Sequence, residues 1–286
     1  MQRKLVLEFT KMSGAGNDFI VIDNRFYNFS DDELADLARR LCPRRVGIGA
    51  DGVLAFARPL DSAHHFRMRY HNADGSIGSM CGNGARCLAR FAWQAGFADE
   101  KLRFETDAGF YRAMAPPEPD APVRLFVPPP KHWMPDQKLA AEDSGAAGAV
   151  HYLWAGTEHA VCFVDDVEGT PVGAWGPAIR HDAALAPAGA NVDFVQVLAD
   201  GQGQQAAALQ VRTFEKGVEQ ETLACGTGAV ASALAARFLG HIQADSVQIH
   251  MPGGTLAVGF RLADGAVTDL YLEGPAVAVF RGTVEV

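Results

Sequence analysis

The sequence has no uninterrupted apolar run of about 18 residues, the length a membrane helix requires. Its first apolar run is closed by Glu8 after three residues, too short for the core of a secretory leader. No Cys-x-x-Cys pair occurs, and the five cysteines are an odd number, which argues against both a zinc ribbon and a disulfide framework. Basic residues are outnumbered, 25 Lys and Arg against 34 Asp and Glu, for a net charge of −9. No broad basic face is therefore available for nucleic acid. His64 and His65 have no partner at metal spacing, and no metal site is expected. "GAGNDF" lacks the third glycine of the dinucleotide fingerprint and the lysine of a phosphate loop. What is left is a chain of 286 residues, 48% hydrophobic and 21% charged. It is globular in composition and large enough for one big domain or two ordinary ones. Free thiols make the cytoplasm the expected compartment.

Proline is unevenly spread. Eight of the fifteen prolines lie between Pro116 and Pro135, around one strand-like run, "VRLFV". The small, polar run "DQKLAAEDSGAAGAV" follows and reads as a surface connection. On either side of this divide the chain repeats Cys-Gly-x-Gly-Ala, at Cys81 and at Cys225. The cysteines are 225 − 81 = 144 positions apart. After Cys81, "NGARCLARFAWQAG" reads as a helix from about Gly84 that stops at Gly96. After Cys225, "TGAVASALAARFLG" reads as a helix that stops at Gly240, and 240 − 96 is again 144. Each helix leads into a strand-like run, "KLRFET" or "SVQIHM", and then a turn at Gly109 or Gly254, where 254 − 109 = 145. Chance does not readily match the helix stop and the turn as well as the cysteine. The two halves are predicted to be duplicated domains related by a pseudo-two-fold axis. Many other short alternating runs, from "KLVLEFTKM" to "TDLYLEG", read as strands. With so few helices to serve as crossovers, the predicted class is α+β: a mixed or antiparallel sheet wrapped around a central helix in each domain.

Cys81 and Cys225 immediately precede the two helices. A helix start offers unpaired N–H donors and the positive end of the macrodipole, and the flanking glycines let the backbone approach a ligand closely. A thiol there is expected to have its pKa drawn down toward neutrality, and a small carboxylate can be held by the same donors. Two such starts suit the removal of a proton from a carbon alpha to a carboxylate. One thiolate takes the proton from one face, the opposite thiol returns one to the other face, and the centre inverts. This chemistry requires neither a metal nor a pyridoxal cofactor. Cys87 and Cys162 sit in apolar contexts and are expected in the core, and Cys42 at a helix end.

The segments "FTKMSGAGNDFIVID", "NADGSIGSMCGNGARC" and "ETLACGTGA" resemble the signature segments of the diaminopimelate epimerase family, cofactor-independent enzymes of lysine and peptidoglycan-precursor synthesis. The resemblance spans essentially the whole chain. It implies two similar domains, 1–127 with 274–286 and 128–273, with the active site in the cleft between them. It also implies that Cys81 and Cys225 are the acid/base pair and that the amides of Gly82, Asn83, Gly226 and Thr227 hold the α-carboxylate. Further substrate contacts are implied for Asn17, Asn72, Asn191, Glu215 and Lys216, with His159 and Glu215 tuning the thiols. The expected ligand is a small amino acid, with no nucleic acid or membrane partner and a homodimer as the candidate assembly. The departures lie toward the end of the substrate remote from the reacting carbon. Lys216 stands where arginine is frequent, "GTEH" replaces "GNPH" at Thr157 and Glu158, and Gly52 closes "GADG" where some members present glutamine. They leave open a racemase of another amino acid with the same two-cysteine chemistry. Two other classes remain: a cysteine hydrolase with His159 as base, in which one matched cysteine would be idle, and a non-catalytic amino-acid binder, which has little use for two thiols.

Overall fold

The computed structural model describes residues 5–97, 101–139, 149–198 and 208–286. Most of the polar run after the proline-rich segment, residues 140–148, lies outside them. The chain forms two compact units, one running to Phe126 and including Glu273–Val286, the other spanning Val127–Leu272.

In chain order the first unit contains β1 (Val6–Gly14), β2 (Asn17–Asp23), α1 (Asn24–Tyr27), α2 (Asp31–Leu41), β3 (Gly52–Ala57), β4 (Phe66–Asn72), β5 (Ile77–Gly78), α3 (Gly82–Gln94), β6 (Lys101–Thr106), β7 (Gly109–Met114) and β8 (Val123–Phe126). The second contains β9 (Lys131–Gln137), β10 (Val150–Trp154), β11 (Glu158–Phe163), α4 (Val172–Arg180), β12 (Asn191–Leu198), β13 (Ala208–Glu215), β14 (Gln220–Thr222), α5 (Gly226–Phe238), β15 (Ser246–Met251), β16 (Gly254–Ala263) and β17 (Ala266–Gly274). The last strand, β18 (Val277–Glu285), returns to the first unit.

Strand pairing is the same in both. An antiparallel hairpin, β1–β2 or β10–β11, is followed by a parallel pairing, β2–β3 or β11–β12. Then come antiparallel β3–β4 or β12–β13, antiparallel β4–β5 or β13–β14, parallel β4–β6 or β13–β15, and antiparallel β6–β7 or β15–β16. The strand beside each opening hairpin is β18 on β1 and β9 on β10. Each repeat thus ends in a strand that serves the other unit. Register extends the match to single residues. β2 meets β3 with Phe19 opposite Gly52, and β11 meets β12 with His159 opposite Asn191. Phe19 therefore corresponds to His159 and, two residues along, Leu54 to Asp193.

The central helices explain the wrapping. α3 packs against β1, β2, β3, β4, β7, β8 and β18, and α5 against β10, β11, β12, β13, β15 and β16. A helix enclosed on all sides buries its whole circumference. In α5 every residue from Gly228 to Ala236 is buried, which the small apolar sequence permits. In α3 the buried set from Asn83 to Ala92 includes Arg86 and Arg90. Both helices begin two residues before the predicted Gly84 or its counterpart, because the cysteine itself is the N-cap. They end near Gly96 and Gly240, which take positive φ of 89° and 78°, the conformation glycine adopts without penalty.

The sequence reading placed only the end of α2, at Cys42, and missed α1, α4 and strands β3, β5, β9 and β14. α2 is capped by Ser30 and Glu33 in a capping box and buries Leu34, Leu37, Ala38 and Leu41 against Leu7, Ile20, Ile22 and Val53 of the sheet. Full burial of each leucine contributes about 1.5–3 kcal/mol. β3 is a continuous buried run without alternation, and β9 contains Pro135, a residue that argues against a strand. Cys42 is the C-cap of α2, and Cys87 and Cys162 are buried. No helix among the described residues is long and apolar enough to cross a membrane.

Candidate active site

Cys81 and Cys225 cap their helices with nearly the same backbone. Cys81 has φ −138° and ψ 118°, Cys225 φ −122° and ψ 109°. Each sulfur accepts from the amide three residues on, Gly84 at 3.5 Å and Gly228 at 3.4 Å. Each cysteine carbonyl accepts the next amide, from Ala85 at 2.8 Å and Ala229 at 2.9 Å. The amides of Gly82 and Asn83, and of Gly226 and Thr227, come before these in the first turn, where helix geometry supplies no intrahelical acceptor. They are the donors that an anion would meet.

Around Cys81, the first unit builds a directed chain of hydrogen bonds. Arg86 Nη2 donates to Asn83 Oδ1 at 2.6 Å, Asn83 Nδ2 to Asn17 Oδ1 at 2.7 Å, and Asn17 Nδ2 to Asp51 Oδ2 at 2.9 Å. Asp51 is also held by Arg44 at 2.9 Å. Asp18 receives Arg44 at 2.6 Å and Lys11 at 2.6 Å. Burial alone would raise the Asp18 carboxyl, but hydrogen bonds from Arg44 and Lys11 outweigh it and hold the pKa below the ordinary value. Asn72, at the end of β4, donates to Ser76 Oγ at 2.9 Å in an exposed turn and does not join the chain.

The second unit brings its expected residues together more tightly. His159 Nδ1 lies 2.7 Å from Asp193 Oδ2, both side chains fully buried. Asp193 Oδ1 accepts from Thr213 Oγ1 at 2.7 Å. The other ring nitrogen of His159, Nε2, meets Asn191 Nδ2 at 3.3 Å. With Asn191 donating there, Nε2 is the acceptor and Nδ1 carries the proton toward Asp193. Asn191 Oδ1 accepts from the Lys216 amide at 2.7 Å. Both ring nitrogens of His159 are therefore engaged, which weighs against its use as a free base by a hydrolase. The Lys216 ammonium is paired with Glu158, whose Oε2 also accepts from Thr157 Oγ1 at 2.9 Å. Three of the residues that depart from the family pattern thus meet, Lys216 and Thr157 both on Glu158. The turn before them sits against the start of α5, since a Cβ at Gly156 would be 3.3 Å from the Thr227 methyl.

One expectation is corrected. Cys225 is 6% exposed, and its thiol is pushed up, not down. Burial is the largest cause, and the negative charges of Glu215 and Asp193 add to it, against the smaller opposing effect of hydrogen bonds from Thr227 and the Gly228 amide. Loss of solvation outweighs the helix end. Burial also raises Glu215 above the ordinary carboxylate value.

Sequence reasoning missed Asp193, Asp51, Asp18, Arg44 and Arg86. The aspartates had a signal: each sits in or beside a motif already singled out, "GANVDF", "GADG" or "GAGNDF". Arg86 is fully buried. Its Nε and Nη1 find no hydrogen-bond partner, a costly arrangement for a charged group. Among the described residues no group of three or more His, Cys, Asp or Glu could hold a metal ion.

The chain as a whole resembles known proteins. The profile of the Diaminopimelate epimerase family matches residues 9–115 and 152–279. The diaminopimelate epimerase of Chlorobaculum tepidum is 42% identical over 280 residues, covering 96% of this chain and 99% of its own. That of Methanocella arvoryzae is 40% identical over 294 residues, covering 98% and 97%. Among solved structures, a Bacillus anthracis phenazine biosynthesis protein of the PhzF family superposes with a TM-score of 0.73 at 13% identity, over 99% of this chain and 100% of that one. A hydroxyproline epimerase from Agrobacterium vitis, with bound trans-4-hydroxy-L-proline, gives 0.67 at 17% identity, over 100% and 93%. At these identities the structural likenesses establish the fold alone.

Proposed function

The chain belongs to the diaminopimelate epimerase family, and from that membership we propose that it is an isomerase that converts LL-2,6-diaminopimelate to the meso form, in lysine and peptidoglycan-precursor synthesis. The observation that carries this reading is the pair of sulfur-capped helix starts at Cys81 and Cys225, matched in backbone and in the orphan amides beside them. In the proposed reaction one thiolate forms an S–H bond as the α-carbon loses its C–H bond. The electron pair left behind delocalises into the α-carboxylate, where the amides of Gly82, Asn83, Gly226 and Thr227 stabilise the growing charge. The second thiol gives its proton to the opposite face, so the centre inverts and the two cysteines exchange protonation states. No cofactor or metal enters the balance. Asn17, Asn72, Asn191, Glu215 and Lys216 are assigned to substrate contacts. His159 and Glu215 are assigned to setting the thiols, a role that the influence of Glu215 on Cys225 supports. A cytoplasmic location and a homodimeric assembly complete the proposal.

A second reading, a racemase of another amino acid with the same cysteines, draws on one observation. The Lys216 ammonium is already neutralised by Glu158, so a distal carboxylate must share or displace that partner. One assay separates the readings: purified protein is given LL-diaminopimelate, glutamate or histidine without added cofactor, and stereochemistry is followed. Formation of meso-diaminopimelate in preference to either racemisation is expected. Faster inversion of glutamate or histidine would favour the second reading, and inversion of none would defeat both.

A further inference from the structure

The two half-sites share a backbone but carry opposite charge. At the offset of 144 that relates the cysteines, Arg86 corresponds to Val230. Long side chains on a helix point back toward its N-terminus. Arg86 follows that rule, reaching Asn83 of the first turn with Nη2 at 2.6 Å. The guanidinium is fully buried, its Nε and Nη1 are unpartnered, and no carboxylate pairs with it among the described residues. Other charges on the strands that hold α3 are either matched, Lys11 with Asp18, Asp23 with Arg25, Arg69 with Asp31, Arg67 with Asp107 and Arg124 with Glu273, or exposed, as are Glu8, Arg281 and Glu285. Arg112 lies over the Phe126 ring. His71 is buried, which disfavours its charged form. Cys87, beside Arg86, is pushed up to about 12 by burial and remains a thiol. Burial pushes the Arg86 guanidinium down to about 10, opposed by the sulfurs of Cys87 and Cys81; with Cys87 a thiol, the negative charge left to answer Arg86 is the Cys81 sulfur.

In the second unit the signs reverse. Val230 brings no charge. The strand residue under the first turn of α5 is Asp193 where the first unit has Leu54: a Cβ at Gly84 would be 3.1 Å from Leu54 Cδ2, while one at Gly228 would run into Asp193 Oδ1. Glu215 adds a second carboxyl close enough to oppose ionisation of Cys225.

We propose that Arg86 is a positioning residue that makes Cys81 the resting thiolate, while Asp193 and Glu215 keep Cys225 the resting thiol, so that the acid/base pair is polarised before substrate binds. The inference rests on the two-cysteine reading above and extends it. The stereoisomer whose α-hydrogen faces Cys81 meets a base already in place. The other stereoisomer needs the protein in the exchanged protonation state.

The test reads ionisation without turnover, so it stands whichever amino acid is the substrate. Free protein is alkylated with iodoacetamide across a range of pH, and labelling at each cysteine is quantified by peptide mass spectrometry. Buried Cys42, Cys87 and Cys162 serve as slow controls. The pH midpoint of each profile reports ionisation independently of access. Cys81 is expected to titrate at least about one pH unit below Cys225, a tenfold difference in thiolate fraction. Arg86→Met should raise the Cys81 midpoint by a similar amount and leave that of Cys225 in place, and Arg86→Lys should recover part of the shift. An earlier midpoint for Cys225 in the wild type would overturn the proposal, whether or not the methionine variant folds. An unmoved Cys81 midpoint in a folded Arg86→Met protein would also overturn it.

Discussion

α3 and α5 start from the same cysteine cap and the same two glycines, yet they are buried by different means. α5 is small and apolar around its whole circumference, and the polarity of its half-site comes from the sheet beneath, where Asp193 holds His159 and Thr213. α3 rests on Leu54 and Phe19 at the matching sheet positions and carries its polarity on the helix itself. Arg90 donates to the carbonyls of Pro116 and Ala121, and Arg86 reaches the Asn83–Asn17–Asp51 chain. The difference shows that the duplication kept what both half-sites need, a sulfur cap and free first-turn amides. What differs is the charge that surrounds each sulfur.

The strongest way to break this comparison is to remove the parts held in common. Cys81→Ala and Cys225→Ala should each lower kcat/KM for LL-diaminopimelate by at least about 10²–10⁴-fold, the range for a lost general acid or base. A large loss at only one of the two would make the half-sites unequal in chemistry, as a hydrolase requires.

Next in size are the differing parts. Asp193→Leu copies the first unit's residue into the second and strands His159 in a buried site. Leaving buried donors, here His159 Nδ1–H and the Thr213 hydroxyl, without their acceptor costs about 1–3 kcal/mol, and denaturant unfolding should show a loss of that order. A loss below about 1 kcal/mol would show that the pair contributes little to the fold.

The glycines sharpen the contrast. Gly228→Ala forces a methyl into the Asp193 carboxylate, which His159 and Thr213 hold in place, whereas at Gly84 the neighbour is the end of a flexible leucine. Overpacking costs about 1–3 kcal/mol, and alanine regains about 1 kcal/mol over glycine within a helix. Gly228→Ala should therefore be clearly destabilising and Gly84→Ala close to neutral. Equal effects would mean that the two helix starts are packed alike.

The smallest effect concerns a feature the halves share. By register, Asp18 corresponds to Glu158, and each is gripped by a lysine, Lys11 or Lys216. Both carboxyls lie below their ordinary values: in each, burial opposes ionisation, and hydrogen bonds, from Arg44 and Lys11 or from Lys216 and Thr157, outweigh it. A lowered carboxyl contributes stability that is present above its unfolded pKa and is lost as pH falls through the folded one. Asp18→Asn and Glu158→Gln should each flatten the acid limb of the stability–pH curve, by under about 1 kcal/mol for such partly exposed pairs. An unchanged limb in both variants would remove these pairs from the account.

The common parts were legible in the sequence because they are local. Cysteine, the glycines and the stop glycine lie within one helix length, and two copies at one offset expose one another. The parts that differ were not legible, because each depends on distant pairing. Asp193 in "NVDF" looks like any polar residue on an alternating strand until His159, 34 positions earlier, is set beside it. Nothing local marks Arg86 and Arg90 as interior, and only a sheet curling around α3 buries them. The pull on the Cys225 thiol was misjudged for the same reason: the helix end is visible in sequence, whereas the burial that outweighs it is not.

The most direct test of the central claim is epimerisation of LL-diaminopimelate in heavy water, stopped early, with deuterium located in both product and recovered substrate. Two cysteines on opposite faces predict meso product carrying deuterium at the inverted centre, and recovered substrate carrying little. Substrate that gains deuterium without inverting would mean that one base serves both faces, and would contradict the account.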